Sequence, residues 1–220
     1  MAQAGAGCSN DEEDAVELLS VNWNQDYSCF TAVTTNGFRI FRCKPFQEHL
    51  RRVEQNGLFG IVEALFRTNI YSFMGRGFDK NYPQNKVTIW DDNQNFRLAE
   101  FSYSSDIRAV KMSKGYFVVV LEDEVLVYSF MGLCLVHQAE TAPNPKGLCC
   151  LSQHTGAQVM AFPGVSQGQV CVEYYGMKAT KLIAAHGSSI SCMALTIDGL
   201  VLATASVKGT LIRIFTDQFK

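Results

Sequence analysis

Lys86-Val87-Thr88-Ile89-Trp90 alternates polar and apolar side chains and closes on an aromatic residue. That period of two marks a strand with one face against a core. The pattern recurs as Gly37-Phe38-Arg39-Ile40-Phe41, Glu124-Val125-Leu126-Val127-Tyr128 and Leu211-Ile212-Arg213-Ile214-Phe215. A weaker copy, Gln169-Val170-Cys171-Val172-Glu173, has glutamate where the others have the aromatic. The equivalent positions 41, 90, 128, 173 and 215 stand 49, 38, 45 and 42 residues apart, a mean of 43.5. That mean falls within the ~40 to 45 residues of a four-stranded propeller blade.

Two further apolar runs bounded by turn residues precede each copy, as a blade requires. First strands are expected at residues 18–24, 61–67, 107–112, 147–151 and 190–195, and second strands at 29–34, 70–74, 116–121, 158–162 and 200–205. More polar outer strands are expected at 47–53, 97–103, 133–139 and 180–185, as befits a sheet edge. The predicted class is all-β, a WD40-like β-propeller over residues 17–220 behind an acidic, disordered leader at 1–16. Its blades are placed at about 17–56, 57–104, 105–143, 144–186 and 187–220. After Phe215 too few residues follow for another strand, so the fifth blade is expected to be incomplete and the array to be the front part of a longer ring.

The chain has 220 residues, 47% hydrophobic and 18% charged, with a net charge of -2. This balance implies a packed domain and excludes a protein that grips nucleic acid through bulk positive charge. The longest apolar runs fall far short of the ~20 residues that span a bilayer, so no transmembrane segment is expected. Asp11-Glu12-Glu13-Asp14 stands where a signal peptide would carry basic and then apolar residues, and the reading is cytosolic. Eight cysteines, none in a Cys-x-x-Cys, lie mostly in apolar runs and are expected to pack as reduced, buried hydrophobes. Cys134 with His137, and Cys149 with His154, each offer two zinc ligands without a second pair, so neither a metal nor a cofactor is predicted.

Four segments narrow the reading: Asn24-Gln25-Asp26; Pro83-Gln84-Asn85-Lys86-Val87-Thr88-Ile89-Trp90-Asp91-Asp92; Asn144-Pro145-Lys146-Gly147-Leu148-Cys149; and the run from Ala203 to Phe215 that contains Ser206-Val207-Lys208-Gly209-Thr210. Together they resemble the PROPPINs, seven-bladed propellers of autophagy, along nearly the whole chain. The resemblance implies a non-enzymatic peripheral membrane protein that recognises phosphatidylinositol 3-phosphate and phosphatidylinositol 3,5-bisphosphate during autophagosome formation. It implies a cytoplasmic protein, peripheral on the preautophagosomal structure and on vacuole or endosomal membranes. Five blades are then present of an expected seven.

In the family two pockets share a Phe-Arg-Arg-Gly or Leu-Arg-Arg-Gly motif about a dozen residues beyond the Gly-Thr-Leu-Ile-Arg-Ile-Phe strand. No such motif occurs here, and lipid binding is expected to be weak or lost. Arg51-Arg52 is the only arginine pair and is expected on a solvated outer strand. His186, Ser206, Lys208, Gly209 and Thr210 match the remaining wall of the first pocket. His186 has two open roles, ligand contact or tying the blade together through a Ser or Asp, and Gly209 can equally serve only the turn. The second blade's Phe78, Tyr82 and Pro83 match the part that, in one subgroup, contacts the large lipid-transfer protein of autophagy. The alternative function is therefore a lipid-independent interaction scaffold on a partial propeller.

No convergent set of nucleophile, acid and base appears, so no catalytic residue is predicted. Asp91-Asp92 is expected to serve a turn or tie blades, Glu122-Asp123-Glu124 to form a solvated hairpin tip, and Arg76 to serve a turn with its charge in water.

Overall fold

The computed structural model describes residues 16–54, 58–77, 79–80, 82–154 and 158–216, and among them it consists of strands and turns. Residues 1–15, which make up nearly all of the expected leader, lie outside the described residues. Blade 1 contains β1 (Leu18–Trp23), β2 (Cys29–Thr34), β3 (Gly37–Cys43) and β4 (Phe46–Val53). Blade 2 contains β5 (Phe59–Ala64), β6 (Ile70–Gly75), β7 (Lys86–Asp91) and β8 (Phe96–Ser102). Blade 3 contains β9 (Ala109–Met112), β10 (Tyr116–Val120), β11 (Glu124–Ser129) and β12 (Leu135–Glu140). In blade 4 stand β13 (Cys150–Leu151), β14 (Val159–Pro163), β15 (Gln169–Tyr174) and β16 (Ala179–Ala184), and in blade 5 β17 (Ile190–Leu195), β18 (Leu202–Ser206) and β19 (Ile212–Phe215). Each sheet is an antiparallel meander in chain order, four-stranded in blades 1 to 4 and three-stranded in blade 5. The array is a β-propeller of five blades, the last with three strands among the described residues.

Position within a blade decides what a strand buries. Phe117, Val118, Val119 and Val120 of β10 are all fully buried, because a middle strand is covered on both faces by neighbouring blades. Outer strands alternate between exposed and half-buried, as an edge with one packed face should. Four apolar clusters fill the gaps between blades 1 and 2, 2 and 3, 3 and 4, and 4 and 5. Aromatic contacts fasten them: Phe38 meets Phe59 edge-on at 5.0 Å, Phe101 meets Tyr128 at 4.7 Å, and Tyr116 meets Tyr175 at 4.5 Å.

The aromatic that ends the repeat marks a bulge. Register shifts between Ile40 and Phe41, Ile89 and Trp90, and Val127 and Tyr128 where each third strand pairs with its outer strand. Blade 4, with Glu173 in that place, has no such shift, and Glu173 pairs with Thr180. The threonine hydroxyl donates to the Glu173 carboxylate at 2.9 Å. A buried carboxylate needs such a donor where a ring needs only space.

The structure corrects some of the expectations for individual side chains and agrees with others. Arg51 does lie on the outer strand paired with Glu48, but Arg52 is not simply solvated. It donates to Asp92 at 2.6 Å and lies 5.9 Å from the Trp90 ring, joining blades 1 and 2. Asp92 thus ties blades, while its neighbour Asp91 caps the turn by accepting from the Asn93 and Gln94 amides. Glu122 is not a free hairpin tip, since Arg108 donates to it at 2.7 Å. The backbone of Arg76 serves its turn, its carbonyl accepting from the Gln84 side chain at 2.9 Å. Cys29, Cys149 and Cys171 are buried as expected, but Cys134 and Cys192 are exposed.

Candidate functional site

The loop that leaves β16 and the turn that joins β18 to β19 lie at the same end of blade 5, and hydrogen bonds stitch them together. Val207 donates its amide to the Ser189 carbonyl at 3.0 Å. His186 Nε2 and Thr204 Oγ1 share a hydrogen bond of 2.9 Å, and Thr204 is 1% exposed. Of the two roles open to His186, the blade-tying bond is present, with threonine in place of Ser or Asp. The His186 amide also donates to the Gly168 carbonyl at 2.9 Å. Gly168 has φ +73°, and a Cβ there would lie 1.8 Å from the His186 carbonyl oxygen, so only glycine permits this approach.

Ser206 is 7% exposed, and its carbonyl accepts from the Gly209 amide at 3.0 Å to close the turn. Gly209 has φ +66° with open space around it, so it is required by backbone conformation and leaves the turn uncovered. Lys208, Gly209 and Thr210 are exposed. The structure therefore brings the five expected residues to one place in two layers, with Ser206 and the His186 bond beneath and the 208–210 tip above.

Arg213 belongs to this group and was not singled out from sequence. It pairs with Thr204 across the β18–β19 ladder, and its guanidinium donates to the Ala185 carbonyl at 2.6 Å. The signal for it was the alternation of Ile212-Arg213-Ile214, which sets the arginine on the side opposite its apolar neighbours.

Beside the turn, blades 4 and 5 enclose a cleft of about 560 Å³ lined by Asn144, Pro145, Lys146, Val165, Ile190 and Val207 among others. Lys146 reaches across it and donates to the Ser191 hydroxyl at 3.0 Å. Residues 141–150, 163–169, 185–191 and 206–211 include no aspartate or glutamate. Lys146, Lys208 and Arg213 stand together at this end of blades 4 and 5, while Glu122 and Asp123 at the same end of blade 3 meet the 141–144 loop through their carbonyls and Glu122 pairs with Arg108, so the blade 5 side is the part that suits an anionic ligand.

The second expected surface is only partly described. Phe78 lies outside the described residues. Tyr82 packs on Phe59 at 5.8 Å and on Phe73 at 6.2 Å, so much of its ring serves the core between blades 1 and 2. Burial, then the nearby Glu54 and Asp79 charges, raise its phenol pKa. Pro83 is half-buried.

Asn24-Gln25-Asp26 ties blade 1 to blade 2. Asn24 Nδ2 donates to the Phe66 carbonyl at 3.1 Å, and Gln25 donates to the Ala64 carbonyl at 2.8 Å while accepting from the Phe66 amide at 2.6 Å. Asn144 holds its own loop, donating to the Leu148 carbonyl and accepting from the Leu148 amide.

The PROPPIN family model matches residues 17–218. Autophagy-related protein 18e of Arabidopsis thaliana is 44% identical over 202 residues, covering 91% of this chain and 54% of the relative. Autophagy-related protein 18 of Dictyostelium discoideum is 36% identical, covering 90% of this chain and 53% of the relative. The chain thus spans about half the length of these curated relatives. Among solved structures, Kluyveromyces lactis Hsv2 superposes with a TM-score of 0.76 at 22% identity, covering 92% of this chain and 61% of that one. KlAtg21, solved in complex with the coiled-coil of AgAtg16, superposes with a TM-score of 0.80 at 23% identity, covering 91% and 66%. These structural matches show the shared propeller fold.

Proposed function

Because the chain belongs to the PROPPIN family, we propose that it acts in autophagosome formation as a phosphoinositide-binding propeller, by binding and not by catalysis. The observation that carries this reading is the acid-free end of blade 5, where the 208–210 turn is stitched to the His186 loop. Phosphate oxygens of phosphatidylinositol 3-phosphate or phosphatidylinositol 3,5-bisphosphate accept hydrogen bonds here from the Lys208 ammonium and the Thr210 hydroxyl. Arg213 spends one donor on Ala185 and has others in its fork for phosphate. His186 and Ser206 position the turn from beneath. The protein is cytoplasmic in this reading, peripheral on the preautophagosomal structure and on vacuole or endosomal membranes.

Residues 1–220 contain no Arg-Arg-Gly, and their single arginine pair is engaged on blade 1. One wall of phosphate contacts gives only marginal, reversible attachment, so these residues alone bind weakly. Flotation with vesicles tests both clauses. The expected result is phosphatidylinositol 3-phosphate-dependent recovery only at high lipid, lowered about five-fold or more by Lys208→Glu, which removes a cation worth about that factor near an anionic surface and adds an anion. Equal recovery on phosphatidylcholine alone would overturn the headgroup wall, and tight binding at low lipid would overturn the weakness.

A second reading is a lipid-independent scaffold that holds the autophagy lipid-transfer protein through Phe78, Tyr82 and Pro83. The fixed backbone of the second blade favours it, with the Tyr82 carbonyl accepting from Gly77 at 3.1 Å and its amide donating to Asp79 at 3.0 Å. The complex of KlAtg21 with a coiled-coil supports a protein partner for this fold. Pull-down with Pro83→Ala and Phe78→Ala tests it: undiminished capture by both variants, or no capture by the unaltered chain, rejects this surface.

A further inference from the structure

In each blade the turns that join strands one to two and three to four lie at the end opposite the candidate site. At that end of blade 3, the chain turns through residues 130–134 between β11 and β12. The Leu133 amide donates to the Ser129 carbonyl at 2.8 Å, and the Ser129 amide to the Cys134 carbonyl at 2.9 Å. This fixed turn holds Met131 at 96% exposure, followed by Leu135 at 47% and Val136 at 49%. The neighbouring tip of blade 4, between β15 and β16, presents Met177 at 55% exposure. Tyr116 and Tyr175 pack with tilted rings and centroids 4.5 Å apart, and a shallow depression of about 370 Å³ between the tips is lined by Tyr116, Ser129, Val136 and Tyr175 among others.

Charge is segregated around these tips. Lys114 lies in the β9–β10 turn and Lys178 beside Met177, and Lys114 Nζ stands 5.4 Å from the ring of Phe66, next to the exposed Arg67. Residues 125–139 contain no Asp, Glu, Lys or Arg, and residues 113–117, 152–158 and 174–179 contain no acid. Blade 3 keeps Glu122, Asp123 and Glu124 at its other end, whereas blades 1, 2 and 5 carry Asp26, Asp91 with Asp92, and Asp198 at the same end as Met131.

We propose that this end of blades 3 and 4 rests on an anionic lipid surface, with Met131 and Met177 entering the boundary between headgroups and acyl chains and Lys114, Lys178 and Arg67 remaining among the lipid phosphates. A single exposed methionine is ordinary. Two apolar tips on adjacent blades, flanked by cations and with no acid in the turns themselves, the nearby Glu173 being buried and held by Thr180, combine the apolar and electrostatic contributions on which interfacial binding depends. The contact needs no inositol headgroup and does not depend on the blade 5 site.

Flotation of the 220-residue chain with phosphatidylcholine vesicles containing phosphatidylserine and no phosphoinositide separates the two sites, because failure here leaves the blade 5 proposal standing. Binding is expected at low ionic strength, falling with salt. Lys114→Glu and Lys178→Glu each lower it about five-fold or more, and Met131→Asp combined with Met177→Asp removes it while leaving the thermal unfolding midpoint in place. Absence of binding above phosphatidylcholine alone, or binding undiminished in the double aspartate variant, would overturn the proposal. Sedimentation velocity supplies the remaining arm: a lipid-free dimer dissolved by Met131→Asp would show that a second copy covers this face, and would also overturn it.

Discussion

His186 and Thr204 stand 18 residues apart in sequence and share a 2.9 Å hydrogen bond beneath the 206–210 turn. The same threonine faces Arg213 across the ladder, and Arg213 donates to the carbonyl of Ala185, just before the histidine. Thr204→Val keeps the shape and removes the hydroxyl, leaving the imidazole nitrogen without that partner. The expected loss is about 1–3 kcal/mol, read as a fall of about 2–4 °C in thermal midpoint for each kcal/mol in a chain of this size. Amide exchange at Val207 should quicken with it. An unchanged midpoint would mean that the bond contributes nothing to the blade.

Asp26 gives a pH dependence with a definite sign. Burial pushes its carboxyl pKa up, but hydrogen bonds from the Ser28 hydroxyl at 2.5 Å and the Ser28 amide at 3.1 Å outweigh burial and hold it below the ordinary 3.8. The folded state therefore favours the carboxylate, and the stabilisation is present above the ordinary value and lost as pH falls through the folded one. Asp26→Asn should be less stable than the parent at neutral pH, with the difference closing in acid. A difference that widened below pH 3.8 would have the wrong sign.

Thiol labelling should follow burial. Burial pushes the Cys150 thiol to about 11 and, with Glu173 beside it, the Cys171 thiol to about 12, so both are protonated at neutral pH, with Cys171 buried and Cys150 half-buried. Cys134 and Cys192 are exposed. Mass spectrometry after brief maleimide treatment of the native chain should find Cys134 and Cys192 modified before Cys149, Cys150 and Cys171. The reverse order would contradict the packing of blades 3 and 4.

Arg52 and Asp92 join blades 1 and 2 at 2.6 Å, with side chains 36% and 28% exposed. Solvent screens such a pair, and its coupling should be at most about 1 kcal/mol. A double-mutant cycle with Arg52→Ala and Asp92→Ala measures this in urea unfolding. A coupling of several kcal/mol would show a far drier interface than the structure has.

Most strands were legible because alternation and turn residues are local signals. β2 and β17 have the expected bounds, and the aromatic strands begin and end within two residues of expectation. The first strand of blade 4 was expected over residues 147–151 and spans only Cys150–Leu151. Asn144 there takes both backbone groups of Leu148, and Gly147 sits at φ +63° against the Arg108 backbone. In blade 2 the first strand stops at Ala64, before the expected residue 67, because Gln25 of blade 1 captures the Phe66 amide. Both differences arise from side chains that bind backbone, which apolar periodicity does not record. At the candidate site, the exposed turn was readable as a motif. The parts that hold it, Thr204 and Arg213, act through contacts made only once β18 and β19 are paired.

The central claim is that the outer end of blade 5 receives a phosphorylated inositol. Titration of isotopically labelled residues 1–220 with soluble inositol 1,3-bisphosphate, followed by amide chemical shifts, tests it without a membrane. The account predicts saturable, weak shifts concentrated at His186, Lys208, Gly209, Thr210 and Arg213, and their loss in Lys208→Glu. Shifts centred on other blades, or none at these residues at saturating ligand, would contradict it.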